Sequence, residues 1–385
     1  MSWRECTLGE VVRFQRGHDL PDQDRKPGDV PVIGSAGPNG WHNEAKARGP
    51  GVSIGRSGAS IGKVTYTPTD YWPHNACLFV TDFLGNDPRF VYYFLKTKDL
   101  TSLNSGAAQP SLNRNFVHLV PVRVPGGNEQ RAIADILSAY DDLIETNRRR
   151  IALLEEAARL LYREWFVHFR FPGHEHVPRT DGLPEGWERR AITDLADIYR
   201  GKSYKSSELV EDGGQPFINL KCFERGGGFR VSGLKWFRGE HKEHHRAEAG
   251  DIVIAVTDMT RDAMIVAQAA RVPRTVGENA IYSMDLVKAA PKEGIDPLWF
   301  YGMLRFSRFS AEVREEATGA TVLHLKPKHI EAWHALVAPR VLRGLFSEQF
   351  SAILDQVDNL ELQNEKLAQT RDLLLPRLMN GDIAV

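Results

Sequence analysis

Cysteine is scarce in this chain, and long hydrophobic runs are missing. Cys6, Cys77 and Cys222 are the three cysteines among 385 residues. They form no CxxC pair and no disulfide framework, so a reducing compartment, the cytoplasm, is the expected setting. No apolar run reaches the roughly 18 residues a membrane helix needs. The start, Met1-Ser2-Trp3-Arg4-Glu5-Cys6, lacks the apolar core of a signal peptide. Net charge is nearly absent too, since 49 Lys and Arg against 50 Asp and Glu leave a formal −1. That excludes a uniformly basic coat, and a nucleic-acid surface would have to gather its cations on one face. The remainder, 42% apolar and 26% charged, is the composition of a globular protein at a length that suits two to three domains.

Catalytic motifs are also missing. Gly55-Arg56-Ser57-Gly58-Ala59-Ser60-Ile61-Gly62-Lys63-Val64 has the look of a phosphate loop. A P-loop needs glycine where Ser57 stands and a magnesium-holding hydroxyl where Val64 stands. It reads instead as a strand followed by a tight glycine turn, whose backbone N–H groups, with Arg56 and Lys63, suit a DNA phosphate. Pro21-Asp22-Gln23-Asp24 compresses a nuclease carboxylate motif into one polar loop and reads as a solvated charge run. His241-Lys242-Glu243-His244-His245 lacks HExxH spacing, and His174-Glu175-His176 lies in a Pro/Gly-rich stretch. There is no dinucleotide or methyl-donor glycine loop, no Asn-Pro-Pro-aromatic motif and no convincing nucleophile–histidine–acid set. The chain is therefore expected to be no enzyme and to hold no cofactor or metal of its own.

What is present is a repeat. Trp3, Leu8, Val11, Phe14, Arg16 and Gly17 are answered by Trp187, Ile192, Leu195, Ile198, Arg200 and Gly201, each 184 residues on. Val52–Gly55 is answered by Ile252–Ala255, Asn75-Ala76 by Asn279-Ala280, and Asp87-Pro88 by Asp296-Pro297. Gly106-Ala107 with Leu112 is answered by Gly319-Ala320 with Leu325. A repeat of such large units describes two related domains rather than a solenoid. Short apolar runs at Val30–Ile33, Val52–Ile54 and Cys77–Val80 read as strands, as do Phe217–Leu220, Ile252–Val256 and Ile281–Val287. Asp87 and Asp296 read as N-caps with proline at the first helical position, the first helix running to about Lys98.

Each half closes on a long helical pattern. Ile133, Leu137, Tyr140, Ile144, Asn147, Ile151, Leu154, Ala158, Leu161 and Trp165 follow 4-3 spacing. Phe346, Phe350, Ile353, Val357, Leu360, Asn364, Leu367, Arg371, Leu374 and Leu378 do the same. That is the heptad signature of a coiled coil. Antiparallel pairing sets Asn147 against Asn364, a polar layer able to fix register, with Trp165 against Phe346 and Tyr140 against Arg371 as a cation–π layer. The alternative is that each asparagine is a tolerated interruption facing water. Ile133 to Trp165 spans roughly 48 Å at about 1.5 Å per residue, somewhat more than one turn of B-DNA.

Two polar loops occupy equivalent places. Gln109, Ser111, Asn113 and Arg114 follow Gly106, while His324, Lys326 and Lys328 follow Gly319. These side chains suit base edges and phosphates, and Lys202, next to Gly201, joins them as a DNA-contact candidate. They suit any polar helix start equally well.

Taken in order and twice over, these motifs resemble the specificity subunit of a type I restriction–modification system, across essentially the whole chain. The carrying residues are Trp3…Leu8-Gly9-Glu10…Arg16-Gly17, Trp187…Leu195…Arg200-Gly201 and the turn from Ile54 to Val64. Leu143-Ile144-Glu145-Thr146-Asn147-Arg148-Arg149, Tyr162-Arg163-Glu164-Trp165-Phe166-Val167 and the run from Thr370 to Gly381 complete the match. The resemblance implies mixed α/β (α+β) recognition domains in two copies related by a pseudo-two-fold repeat. Two long helices forming an antiparallel coiled coil would join them. The parts would be residues 1–126 and 187–341 as recognition domains, 127–170 and 342–385 as helices with a C-terminal tail, and 171–186 as linker. Each recognition domain would read one half of a bipartite site in double-stranded DNA. The coiled coil would set the spacer and dock modification subunits, two of them. S-adenosylmethionine, ATP and magnesium would belong to the modification and motor subunits. In the second half, Ala255–Ala263 lacks glycine and carries Asp258 and Asp262, so phosphate contact is expected of the first turn only. A duplicated protein-binding scaffold and a nuclease using Asp22 and Asp24 are the competing readings.

Overall fold

The computed structural model describes residues 3–103, 111–259, 262–319 and 321–385, in two units: Met1–Thr146 with Asn364–Val385, and Asn147–Gln363. The first unit holds β1 (Arg4–Thr7), β2 (Arg13–Arg16), β3 (Val30–Gly34), β4 (Gly37–His42), β5 (Gly51–Gly55), β6 (Val64–Thr67), β7 (Trp72–Pro73), β8 (Cys77–Asp82), α1 (Pro88–Lys96), α2 (Arg114–His118) and β9 (Pro121–Val124). The long helix α3 (Gly127–Tyr162) begins there. The second unit holds β10 (Arg179–Thr180), β11 (Leu183–Pro184), β12 (Glu188–Ala191), α4 (Ile192–Leu195), β13 (Ala196–Arg200), β14 (Leu209–Val210), β15 (Gln215–Ile218), β16 (Lys235–Phe237), β17 (Arg246–Ala247), β18 (Ile252–Ala255) and β19 (Thr257–Asp258). It continues with β20 (Ala269–Arg271), β21 (Ala280–Tyr282), β22 (Leu286–Pro291), α5 (Pro297–Phe306), α6 (Phe309–Arg314), β23 (Leu323–His324), α7 (Pro327–Glu331) and β24 (His334–Val337). The second long helix, α8 (Arg340–Asn380), starts there and ends in the first unit.

The first unit has an antiparallel sheet in the order β2-β8-β5-β6; the second has one in the order β13-β22-β18-β20. Each unit adds a sheet with one parallel pair, β3 with β7 and β15 with β21. Each also has an antiparallel pair leading into its long helix, β1 with β9 and β12 with β24. The central strands β5 and β18 are buried along their whole length; β18 reads as an unbroken apolar run, and β5 carries one polar residue, the buried Ser53. In the first unit Phe14, Ile54 and Leu78 of the sheet pack with Phe90 and Phe94 of α1 in one core. Both helices entered by Asp-Pro form as expected. The Asp87 carboxylate accepts from Phe90 N at 2.9 Å, and that of Asp296 from Leu298 N at 3.0 Å.

One expectation changes, and the linker stretch gains a structural reason. The run Ile281–Val287 is not one strand. The chain turns at Ser283, where Leu286 N donates to Ser283 O at 3.0 Å, and β21 and β22 belong to different sheets. The Pro- and Gly-rich stretch 171–186 is ordered by an aromatic anchor. Phe171 is buried with its ring 6.0 Å from that of Trp187, and the β10–β11 hairpin follows. Burial of one large ring outweighs the turn-forming composition.

The Arg-Gly pairs have a steric reason. A side chain on Gly17 would sit 2.1 Å from His74 O, and one on Gly201 would sit 2.0 Å from Ser283 O. Backbone passes backbone at both places, and only glycine fits.

Within the first unit, Ile133, Ala134 and Leu137 of α3 share a core with Leu375, Leu378 and Met379 of α8. Within the second, Tyr162, Trp165 and Phe166 surround Phe346, with ring centroids at 5.8, 6.3 and 5.1 Å. Arg371 does not form the expected layer over Tyr140. Its guanidinium binds the carboxylates of Asp141 and Asp372, because two anions within reach outcompete an aromatic face. Asn147 is 1% exposed and Asn364 half-buried, in different units.

Candidate nucleic-acid interface

In the first unit, the end of β5 and the segment before α2 are laced together. Leu112 N donates to Arg56 O at 2.9 Å, and Ser57 bridges Ser111 in antiparallel fashion. This brings Arg56, Ser57, Ser111, Asn113 and Arg114 to one edge. The glycine turn forms as expected, with Gly58 and Gly62 at φ +72 and +79, and leaves Lys63 exposed on its far side. Ser35 Oγ donates to Ser57 O at 2.7 Å and pins the β3–β4 turn against it. Asn113 caps α2 by accepting from Asn115 N at 2.9 Å, so part of its capacity is structural. His118 anchors α2 to β2 by accepting from Phe14 N at 3.0 Å. Burial, then the charges of Arg13 and Arg114, push its pKa down, in keeping with a ring that accepts. Gln109 lies outside the described residues.

The second unit repeats this lacing with different side chains. Leu325 N donates to Val256 O at 2.8 Å, and Thr257 pairs with His324 in β19–β23. His324, Lys326 and Lys328 are exposed around the start of α7. A cleft of about 230 Å³ is lined by Arg200, Thr257, Met284, Asp285, His324 and Lys326, among others. Lys202 joins through its backbone, accepting from Met284 N at 2.9 Å. Lys328 lies a turn beyond the cleft and does not line it.

Asp258, whose charge argued against phosphate contact, is 0% exposed. Its carboxylate accepts from Ile265 N at 2.6 Å and Val266 N at 3.0 Å, closing the loop that replaces the glycine turn. At the end of this loop Ala267 takes φ +62, the conformation Gly62 supplies in the first unit.

Three residues of this cleft were not read as site residues from the sequence: Arg200, which was placed only in the repeat frame, Met284 and Asp285. The echo of Asn75-Ala76 in Asn279-Ala280 hid two of them, because it is not the structural equivalence. Asn75 N donates to His18 O as Met284 N does to Lys202 O, both at 2.9 Å. Arg56 N donates to Ala76 O at 2.9 Å, as Val256 N does to Asp285 O at 2.8 Å. Asn75 therefore corresponds to Met284, an offset of 209 that Asp87 and Asp296 share. That shared offset was the available signal.

The charge run at Asp22–Asp24 is an exposed single turn, and His241–His245 is a surface loop. Among the described residues, no group of His, Cys, Asp and Glu could hold a metal ion, and no helix is long and apolar enough to cross a membrane.

Comparison with known proteins adds the following. The profile of a family described as the type I restriction modification DNA specificity domain matches residues 1–156. The chain is 24% identical over 306 residues to the type I restriction enzyme MjaIX specificity subunit of Methanocaldococcus jannaschii, covering 77% of this chain and 69% of that one. It is 19% identical over 372 residues to the HindI specificity subunit of Haemophilus influenzae, covering 77% of each. Its fold is similar to that of the crystal structure of a type I restriction-modification S subunit from M. genitalium, with TM-score 0.60, 16% identity, and coverage of 98% of this chain and 96% of the other.

Proposed function

The chain belongs to the DNA specificity subunits of type I restriction–modification systems, and from that premise we propose that each of its two units reads one half of a split target in double-stranded DNA. As a specificity subunit it recognises DNA within a complex and is itself non-catalytic. The observation that carries the bipartite reading is the shared hydrogen-bonded frame that presents Arg56, Ser57, Ser111, Asn113 and Arg114 in one unit and His324 and Lys326 in the other. One frame with two sets of side chains is what two readers of different sequences require. The matching strand orders support taking the units as copies of one fold. The long helices would pair as an antiparallel coiled coil, with Asn147 and Asn364 fixing register, and act as the ruler between half-sites. The burial of Asn147 supports that role over a water-facing one. Two modification subunits would dock on this scaffold in the cytoplasm, bringing S-adenosylmethionine. Motor subunits would bring ATP and magnesium, and this chain would hold no cofactor.

Arg56 and Lys63 are assigned to phosphate, and the other side chains of the two polar edges to bases. Arg56→Ala with Lys63→Ala should weaken binding of the assembled complex about equally for every sequence. The salt dependence should fall by about one unit of slope per lost contact. Affinity titrations across a salt series test this. An altered target sequence, or an unchanged slope, would remove both residues from the phosphate contact.

A further inference from the structure

We infer that the cleft between β19, β23 and the β21–β22 turn of the second unit takes the major-groove edge of a thymine, with Met284 against its 5-methyl group; this rests on the DNA-reading function proposed above. Met284 is 55% exposed, and its side chain stands on the rim rather than in the core. The other apolar lining side chains, Val256, Val287 and Leu325, are buried, and Pro327 is half-buried. The remaining lining residues are polar or charged: Arg200, Thr257, Asp285, His324 and Lys326. Met284 belongs to none of the buried apolar clusters, and its thioether is the one largely exposed apolar group among the side chains that line this cleft. Its placement is nevertheless fixed. Met284 N donates to Lys202 O at 2.9 Å, and on either side Ser283 N donates to Ile218 O at 2.9 Å and Leu286 N to Ser283 O at 3.0 Å. The backbone thus presents a flexible, polarisable apolar tip from a rigid turn.

In the major groove only thymine offers an apolar group, its methyl; every other feature of the base edges is a donor or an acceptor. An exposed apolar tip among polar and charged side chains is therefore matched by thymine. Arg200 has its counterpart in Arg16 of the first unit, so the same residue stands at this edge in both readers, as shared positioning would require. Position 284 differs, being Asn75 in the first unit, as a sequence-reading position must. The Asn75 amide donates to the Asp19 carboxylate, so the two positions present opposite chemistries.

The test uses the assembled complex of this chain with its modification subunit, after its split target has been mapped. Each thymidine in the two half-sites is replaced in turn by deoxyuridine, which removes only the methyl. One replacement, in one half-site, should weaken wild-type binding roughly tenfold. Met284→Ala should abolish that difference, Met284→Leu should keep most of it, and the other half-site should be read as before. Absence of thymine from both half-sites, no methyl dependence in wild type, or full methyl dependence in Met284→Ala would each overturn the inference while leaving the split target standing. Loss of modification-subunit binding without change in base preference would overturn it too, and would mark Met284 as a protein contact. Wild-type complex with no preference for any split sequence would instead overturn the DNA-reading function itself.

Discussion

Four residues inserted into each long helix, between Thr146 and Asn147 and between Gln363 and Asn364, are expected to lengthen the preferred gap between half-sites by about two base pairs. One added turn lengthens a helix by roughly 6 Å, and B-DNA rises about 3.4 Å per base pair. Inserting in both helices keeps their apolar layers in step. Insertion in one alone would put Asn147 out of phase with Asn364 and is expected to destabilise the pair instead. The change at the original target should be large. A complex that can engage only one half-site at a time loses the other's contribution, on the order of 10²–10³-fold in affinity. Selection of bound sequences from a library of random gaps reads the new spacing. An unchanged gap, with the complex intact, would remove the helices from the ruler role.

Asp358→Ala is expected to destabilise the second unit by about 3–5 kcal/mol, the cost of stranding a buried charge. Asp358 lies on α8 with its side chain 6% exposed, and Arg271 of β20 is 12% exposed. One guanidinium nitrogen of Arg271 meets both carboxylate oxygens, at 2.7 and 2.8 Å. Arg274 adds a longer contact of 3.8 Å to Asp358 and pairs with exposed Asp355 at 2.8 Å. That outer pair is screened by water and should matter little, so Asp355→Ala should fall within about 1 kcal/mol of wild type. Replacing both buried partners, Arg271→Met with Asp358→Leu, should recover most of the loss, because no orphaned charge remains. Denaturant unfolding of the three variants decides this. A near-neutral Asp358→Ala would mean that the pair is relaxed or hydrated and does not fasten α8 to the sheet. In wild type, this pair gives the helix a fixed seat on the sheet whose neighbouring strand, β18, ends beside the cleft lined by Val256 and Met284.

Most of the fold could be read from residue patterns wherever one physical cause dominated. The Asp-Pro helix starts, the buried strands β5 and β18 and the two 4-3 seams each follow from local chemistry or periodicity. The failures came where tertiary partners decided. Ser283 and Asp285 break Ile281–Val287 at a change of sheet, which period alone does not mark. Asp141 takes Arg371 from Tyr140 because both long helices and α1 meet there, with the Tyr93 hydroxyl also donating to Asp141 at 2.5 Å. For the candidate interface, the loop residues after Gly106 and Gly319 were found by position in the repeat. Arg200 was visible but treated only as frame. Met284 was hidden by a chance Asn-Ala echo, and because an exposed methionine carries no sequence signature. Asp258 showed its charge in sequence but not its burial or its role in closing the loop.

The central claim is that this chain gives a methylating complex its split DNA target. It is tested most directly by mapping DNA methylation in cells that express the chain with its modification subunit, and in cells that express that subunit alone. A methylated motif in two parts with a fixed gap, present only when both chains are expressed, is the expected result. The same methylation pattern with and without this chain, while the two proteins are shown to assemble, would contradict it.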